Sequence, residues 1–186
     1  MGRLIGGRPG VRTPSVCDTR EVLILLRHGQ TSHNAQARLQ GLVDLPLDDF
    51  GVEQARTAGE HIRRRWEIDE VVTSSLTRTI QTAEHAGFGG LPHTIDDRWR
   101  EISFGDLDGQ PLGDTIGELS ARWKADPGYH PAGGESMRAL HERVSEACRE
   151  LLDRTSERNV LVVSHATPIK SAATWAAEGP IAMILN

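Results

Sequence analysis

The sequence predicts a three-layer α/β/α domain built on a mainly parallel sheet. Two short and continuous apolar runs, 22–26 and 160–163, have the character of strands that are buried on both faces. Segments whose apolar residues recur at helical spacing lie between the strand-like runs. Strands that alternate with helices are typical of parallel sheets covered by helices. With 186 residues, the chain has the size of one such domain, and we assign it to 21–186.

Each element is predicted from its own pattern. A polar loop over 27–49 follows the first strand, and Asp48 or Asp49 then stands near the cap of the next helix. The long stretch 98–135 is rich in glycine and is predicted to be mostly loop. The remaining elements are, in chain order, a helix at 51–65, a strand at 70–73, a helix at 76–85, a short strand at 93–95, and helices at 114–124, 136–154 and 167–177.

Composition disfavours nucleic-acid binding, Cys-based frameworks and a membrane span. The formal net charge is -5 and the pI is about 5.9, so bulk electrostatics disfavour nucleic-acid binding. Two cysteines, Cys17 and Cys148, are too few for a disulfide framework or a Cys-rich zinc site. No run approaches the roughly 18 apolar residues of a membrane span. Residues 1–20 are rich in Gly, Arg and Pro and lack a signal peptide's apolar centre, so we expect a flexible tail and a cytoplasmic protein.

Polar and basic residues follow three of the predicted strands directly. Arg27 and His28 end the first strand, Arg78 lies at the start of the helix after the second, and His165 follows the strand at 160–163. Ligands of open α/β sheets gather at the carboxyl ends of the strands, so these side chains should meet at one edge. Glu101 lies in a nearby loop.

Two guanidinium groups and two imidazoles suit a tetrahedral phosphate dianion. Arginine offers paired donors that match phosphate oxygens, and the start of the helix behind Arg78 adds partial positive charge. Histidine is a suitable nucleophile because a phosphohistidine is readily hydrolysed. Since four donor side chains supply the charge that a metal brings elsewhere, we predict no metal and no cofactor.

These residues belong to longer blocks that resemble the histidine phosphatase superfamily, also called phosphoglycerate mutase-like. An Arg-His-Gly tripeptide alone is a weak motif, but six blocks in the family's order are a strong one. The resemblance covers roughly 22–175. Its blocks are Leu26 to Thr31 with Asn34, Leu39-Gln40-Gly41 with Asp44 to Leu47, Ser74-Ser75-Leu76 with Arg78-Thr79, Glu101-Ile102 with Phe104-Gly105, Gly134-Glu135-Ser136 with Arg143, and Val163-Ser164-His165.

The resemblance implies a role for each matching residue. His28 is similar to the phosphorylated nucleophile, and Arg27, Arg78 and His165 to the rest of the phosphate pocket. Asn34 matches a phosphate-contacting Asn, and Glu101 resembles the proton donor, with Asp97, Asp106 and Asp108 as neighbouring carboxylates that compete for that role. Gln40 and Gly41 lie in the loop expected on the phosphate side, although turn geometry explains Gln40 about as well. Ala166, which stands where many members have Gly, is expected with Gln40 and Gly41 among the substrate-binding residues.

The predicted function is hydrolysis of a phosphomonoester on a small metabolite through a phosphohistidine. Only 63 residues separate Glu101 from His165, which by resemblance is shorter than in the cofactor-dependent mutases. A phosphoglycerate mutase remains the first alternative, and a non-catalytic domain that binds phospho-ligands is the second. Specificity is assigned to a lid over 105–134, where Arg122 and Lys124, together with Arg38 outside it, could meet a second negative charge.

The C-terminus and the partners complete the expectations. Family members usually continue into a further strand, so 181–186 is either a short version of it or a place where the chain is cut and a sheet edge is left open. An open edge would favour a homodimer. We expect no nucleic acid and no membrane among the partners.

Overall fold

The computed structural model describes residues 22–154 and 158–185. The expected flexible tail over 1–20 and Cys17 lie outside the described residues, so both stay predictions.

The sheet is parallel throughout and has the strand order β1-β4-β2-β3. Each of its three strand pairs runs in the same direction. The strands are β1 (Leu23–Arg27), β2 (Glu70–Thr73), β3 (His93–Ile95) and β4 (Val160–Ser164). The predicted mainly parallel α/β architecture is therefore confirmed.

Helices occupy the connections between the strands. They are α1 (Ser32–Ala35), α2 (Asp49–Arg63), α3 (Thr77–His85), α4 (Gly113–Ala125), α5 (Met137–Arg154) and α6 (Ala166–Ala176). Asp48 caps α2 by accepting from the Gly51 amide at 2.8 Å. Each predicted helix is present, with ends that differ by two residues or fewer.

Alternating side chains of β4 divide the interior into two cores. Val160 and Val162 join the core that contains α4, α5 and α6, whereas Leu161 and Val163 join the one that contains α2 and α3. β1 follows the same rule, since Leu23 and Leu25 pack on the first core and Ile24 and Leu26 on the second. Because successive side chains of a strand point to opposite faces, this division places helices on both sides of the sheet.

A short helix, α1, lies inside the region that was predicted to be loop. Thr31 and Asn34 form a reciprocal capping box that holds it, with the Thr31 amide donating to Asn34 Oδ1 at 3.2 Å. Four residues are too few to show a helical period, so only the capping pair could have indicated this helix.

The expectation of a short C-terminal strand is wrong. Ile181–Leu185 forms a 3-10 helix that packs against α6 and α4, and Ile184 is 2% exposed. The apolar side chains of this segment join the core beside α5 instead of pairing with the sheet. Within residues 22–154 and 158–185, β1 is thus an edge strand with no neighbour beyond it.

Candidate active site

Strand register brings the predicted side chains together. Arg27 of β1 lies opposite Ser164 of β4, and Val163 of β4 lies opposite Thr73 of β2. The residues that follow, His28, His165 and Ser74, therefore leave the sheet at the same edge. The strand ends predicted that these side chains meet there, and the structure brings them together.

The His28 ring has a defined protonation pattern. Its Nδ1 lies 2.7 Å from the Gly29 carbonyl oxygen, and a carbonyl can only accept, so Nδ1 carries the proton. Burial, together with the charges of Arg78 and Arg27, lowers the pKa of His28 to about 3, and the bond to Gly29 opposes the shift. The ring is therefore neutral near neutral pH, and its Nε2 lone pair is available for attack.

His165 lies beside His28, with ring centroids 5.1 Å apart. Its Nδ1 accepts from Arg78 Nε at 3.2 Å, so its Nε2 carries a proton and faces Ser74 Oγ at 2.9 Å. Burial lowers the pKa of His165 well below its usual value, and the neighbouring Arg78 and His28 add to the effect. In this structure both ring nitrogens are engaged with protein groups, and the imidazole orients Arg78.

Arg78 is fully buried. Its Nη1 donates to the Val43 carbonyl at 2.8 Å and its Nη2 to the Gly41 carbonyl at 2.7 Å. Burial lowers the pKa of Arg78 to about 10, while the charges of nearby carboxylates raise it, so the group remains a cation at neutral pH. A guanidinium has five N–H groups, so one on each terminal nitrogen remains for an anion.

Glu101 is a buried carboxyl group that lies next to the start of α6. Oε1 accepts from the Ile102 amide at 2.8 Å, and Oε2 from the Thr167 amide at 3.4 Å. Burial raises the pKa of Glu101, although these hydrogen bonds and the charge of Arg78 oppose the shift. A raised pKa is what a general acid needs near neutral pH.

The competing carboxylates have other partners. Asp97 accepts from the Ser75 amide at 3.3 Å and pairs with Arg100, while Asp106 is exposed. Asp108 accepts from two backbone amides of the loop at Gly41. Among the four candidates, Glu101 alone is buried, and burial raises its pKa.

Arg27 and Asn34 lie on the open side of His28. Arg27 is exposed at the end of β1, and its charge acts on the His28 ring. The Asn34 side chain uses Oδ1 in the α1 cap, which leaves the Nδ2 donor for an anion. Both residues line a cavity of about 850 Å³ between β1 and α2.

The local backbone conformation explains the positions of three further predicted residues, Gln40, Gly41 and Ala166. Gln40 is buried, accepts from Thr31 Oγ1 at 2.5 Å and reaches the Val43 carbonyl at 3.5 Å, so its contacts hold the turn. A Cβ at Gly41 would lie 2.5 Å from the Ile102 carbonyl oxygen, so only glycine fits there. Ala166 is the first residue of α6.

Three further residues support the site without having been predicted to do so. Ser74 holds His165, Asp108 holds the loop that contacts Arg78, and Thr82 Oγ1 accepts from the Gly29 amide at 3.1 Å. Their partners lie 53 to 91 residues away. Ser74 follows a strand directly and stands in one block of the family resemblance, whereas nothing in the sequence indicated the contacts that Asp108 and Thr82 make.

Other polar residues of the interior have structural contacts. Ser164 Oγ donates to the Trp99 carbonyl at 2.7 Å, His93 contacts Thr73, and His141 contacts Ser171. Burial raises the pKa of the Cys148 thiol to about 11, which makes it unreactive. Within the described ranges, no group of three or more His, Cys, Asp or Glu is arranged to hold a metal ion.

Fold and site together define a phosphate-handling enzyme of the α/β class, with an unprotonated histidine nitrogen set among arginine and histidine at the sheet edge. The model of the histidine phosphatase superfamily (branch 1) matches residues 23–186, and the chain belongs to this family. It is a histidine phosphatase, that is, a phosphoric monoester hydrolase.

Relatives with similar sequences include a named phosphatase. The chain is 37% identical over 154 residues to the glucosyl-3-phosphoglycerate phosphatase of Mycolicibacterium vanbaalenii, covering 77% of this chain and 68% of that protein. It is 31% identical over 156 residues to phosphoglycerate mutase-like protein 4 of Arabidopsis thaliana, covering 80% and 68%.

Solved structures agree on the fold. A mycobacterial glucosyl-3-phosphoglycerate phosphatase in complex with VO3 has a TM-score of 0.77 at 31% identity, covering 88% of this chain and 85% of that one. The alpha-ribazole phosphatase of Shigella flexneri has a TM-score of 0.76 at 27% identity, covering 87% and 82%. Both of these structural neighbours are named as phosphatases, which favours hydrolysis over the mutase alternative.

No helix in the described part of the chain is both long and apolar enough to span a membrane.

Proposed function

We propose that this phosphatase acts by transferring the phosphoryl group of a small phosphate monoester to Nε2 of His28 and then to water. One observation carries the proposal: the Gly29 carbonyl fixes the His28 proton on Nδ1, which points an unprotonated nitrogen into a pocket of cationic and neutral donors. The first half of the reaction follows from this arrangement.

In the first half, the Nε2 lone pair of His28 attacks phosphorus and the bond between phosphorus and the ester oxygen breaks. The carboxylic proton of Glu101 goes to the leaving oxygen, so the alcohol departs neutral. The ring then carries a positive charge, with the phosphoryl group on Nε2 and the proton on Nδ1. The Gly29 carbonyl, 2.7 Å from Nδ1, stabilises that charge.

In the second half, the Glu101 carboxylate takes a proton from water and the resulting hydroxide attacks phosphorus. The bond between phosphorus and Nε2 breaks, inorganic phosphate leaves, and both His28 and Glu101 return to their starting states. Arg27, Arg78 and Asn34 are proposed to hold the phosphoryl oxygens, and His165 is proposed to act in the pocket by orienting Arg78. Gln40, Gly41 and Ala166 shape the surrounding backbone. Cations and N–H donors that face the oxygens stabilise the transition state.

The cavity between β1 and α2 is not proposed as the site of the leaving group. Its lining includes Arg27, His28 and Asn34 at one end and Phe50 and His61 along α2, whereas Glu101 is not part of it. An in-line reaction requires the leaving oxygen to lie opposite Nε2, next to the acid. The substrate's alcohol portion is therefore proposed to lie under the segment 105–134.

The substrate is proposed to be a small phosphorylated metabolite with a second negative charge. One relative is named for a phosphoglycerate derivative, which supports this choice. Lys124 and Arg122 lie on α4 within the proposed lid, and Arg122 is held against the Tyr129 ring at 5.2 Å. Arg38 donates to the Gly109 carbonyl at 2.7 Å, at the base of the same segment. We also propose a cytoplasmic location and action without a metal or cofactor.

The proposed function is tested with His28→Ala and p-nitrophenyl phosphate. Loss of the nucleophile should lower kcat by at least about 1000-fold, since the alternative is direct attack by water. Far-ultraviolet circular dichroism checks that the variant is folded, and a His33→Ala variant in the neighbouring helix α1 serves as the matched control. A folded His28→Ala enzyme with the parent's kcat would refute the proposal.

A further inference from the structure

Asp108 lies at the base of the proposed lid and contacts the loop that holds Arg78. Its Oδ1 accepts from the Gly41 amide at 2.6 Å, and its Oδ2 accepts from the Leu42 amide at 3.2 Å. Both carboxylate oxygens are thus used by backbone donors. Asp108 therefore acts as a hydrogen-bond acceptor for the loop at Gly41.

The same loop turns its carbonyl groups towards Arg78. The Gly41 carbonyl accepts from Nη2 at 2.7 Å, and the Val43 carbonyl accepts from Nη1 at 2.8 Å. The Gly41 carbonyl and the Leu42 amide belong to one peptide group. Asp108, this peptide and the Arg78 guanidinium therefore form a line in which an anion meets the N–H end of the peptide dipole and a cation meets its oxygen end.

Alignment of this kind strengthens both hydrogen bonds. An anion at the N–H end polarises the peptide and makes its carbonyl a better acceptor, and the effect is larger in a buried, low-dielectric environment. Arg78 lies in such an environment, since it is fully buried. The peptide has little freedom to move, because a Cβ at Gly41 would lie 2.5 Å from the Ile102 carbonyl oxygen and 2.8 Å from Asp108 Oδ1.

The segments around Asp108 and Gly41 are also joined by their backbones. The Leu39 amide donates to the Gln110 carbonyl at 2.8 Å, and the Gly109 amide donates to the Leu39 carbonyl at 2.9 Å. These bonds place Asp108 at a fixed distance from the loop before its carboxylate contacts the two amides. The contact is therefore part of the fold's framework.

We propose that Asp108 is a positioning residue, which fixes the Arg78 guanidinium for the transferred phosphoryl group by holding the Gly41–Leu42 peptide. The inference rests on the proposed function, because it gives Arg78 a role in binding the phosphoryl oxygens. Asp108 does not touch the substrate in this account. Its effect on the reaction passes through Arg78.

The test measures vanadate inhibition and kcat/KM for Asp108→Ala and Asp108→Asn. Displacement of a guanidinium by a fraction of an ångström is expected to lower kcat/KM by about 10- to 100-fold and to weaken vanadate binding in parallel. Asp108→Asn keeps one acceptor oxygen and should fall between the parent and Asp108→Ala. Asp106→Asn is the matched control, since Asp106 lies two residues earlier on the same turn and is exposed.

A double-mutant cycle separates positioning from a general structural effect. In an Arg78→Lys background, which lacks the two-pronged contact with the loop, the loss caused by Asp108→Ala should shrink to about twofold or less. An undiminished loss in that background, or no loss in the parent background, would overturn the proposal. Thermal unfolding of each variant identifies a temperature at which all of them are folded. Vanadate inhibition and kcat/KM are then compared at that temperature, so that unfolded protein does not contribute to the differences.

The cycle remains informative if the proposed function fails. Vanadate affinity reports how the pocket holds a phosphate-like anion, whether or not His28 becomes phosphorylated. Parental turnover by His28→Ala would refute the phosphohistidine mechanism, whereas additive effects in the vanadate cycle would refute the role of Asp108 alone.

Discussion

At the residue scale, the proposed mechanism depends on two pKa shifts in opposite directions. Burial lowers the pKa of His28 to about 3 and keeps a nitrogen lone pair available, while burial raises the pKa of Glu101 and keeps a proton available. In both cases the low-dielectric site disfavours the charged form. A neutral base and a neutral acid can therefore coexist in one pocket at neutral pH.

Glu101→Gln should separate the two halves of the reaction. p-Nitrophenolate is a good leaving group that needs little help from an acid, so phosphorylation of His28 should continue, while hydrolysis loses its general base. We predict a burst of p-nitrophenol close to one equivalent of enzyme, followed by turnover at least about 100-fold slower than in the parent. Stopped-flow absorbance measures both phases, and the absence of a burst together with parental turnover would contradict the role of Glu101.

The raised pKa of Glu101 predicts the direction in which kcat/KM changes with pH. In the proposed mechanism, hydrolysis of an alkyl phosphate requires the protonated Glu101, so kcat/KM of the parent should fall as pH rises through the raised pKa of this carboxyl group. The Glu101→Gln variant should lack that descending limb.

The same raised pKa means that the folded protein holds this proton more tightly than the unfolded chain, so the free energy of unfolding decreases as pH rises above the usual Glu range. Chemical denaturation of the two proteins at pH 5 and pH 8 should show a smaller decrease for the variant.

Sequence could predict which residues meet at the sheet edge but not their hydrogen-bond partners. His28, Arg78 and His165 follow strands, and the convergence of strand ends in parallel sheets was enough to bring them together. The bond from Arg78 to the Gly41 carbonyl, and the bond from the Leu42 amide to Asp108, join residues 37 and 66 positions apart. Such contacts depend on the path of loops, which composition and periodicity do not determine.

At the element scale, close backbone contacts position the loop after β1 on α2. A Cβ on Gly51, in the first turn of α2, would lie 2.1 Å from the Gln30 carbonyl oxygen, and one on Gly29 would lie 2.3 Å from the Gly51 carbonyl oxygen. The loop after β1 is therefore packed directly on the backbone of α2. Because neither position has room for a Cβ, the two glycines allow the loop that contains His28 to pack closely against α2.

Gly51→Ala should lower both stability and activity. The added methyl group overpacks a backbone contact that cannot yield through a side-chain rotation, and a cost of about 1–3 kcal/mol in the free energy of unfolding is expected. Gly117→Ala is the control, because its Cβ would meet nothing within 4 Å. Removal of a glycine from an exposed helix interior should stabilise the protein by about 1 kcal/mol. Urea denaturation of both variants tests the pair, and equal effects would contradict the packing argument.

Helix and strand patterns were sufficient for the long elements and insufficient for the short ones. The apolar period of α5 spans five turns and predicted its bounds within a residue. The segment Ile181–Leu185 is apolar at every position, which is compatible with a strand or with a buried turn of helix. Packing on α6 decided the outcome, and only tertiary structure contains that information.

At the scale of the whole molecule, β1 is an edge strand that pairs on one side only within the described residues. The His28 amide bonds to Ser164 and the Val160 amide bonds to Val22, so the even-numbered residues of β1 face β4. The amides and carbonyls of Leu23, Leu25 and Arg27 face away from the sheet. Because unpaired strand edges favour association, we predict a homodimer. Sedimentation velocity can test this prediction.

The central claim is that one nitrogen of His28 carries the phosphoryl group during turnover. The most direct measurement mixes the Glu101→Gln enzyme with p-nitrophenyl phosphate, quenches it in base and locates the modified residue by mass spectrometry of its peptides. The account predicts a single phosphoryl group on His28 that is stable in base, is lost in acid and is absent from the His28→Ala, Glu101→Gln double variant. A phosphoryl group on another residue, or a phosphorylated double variant, would contradict it.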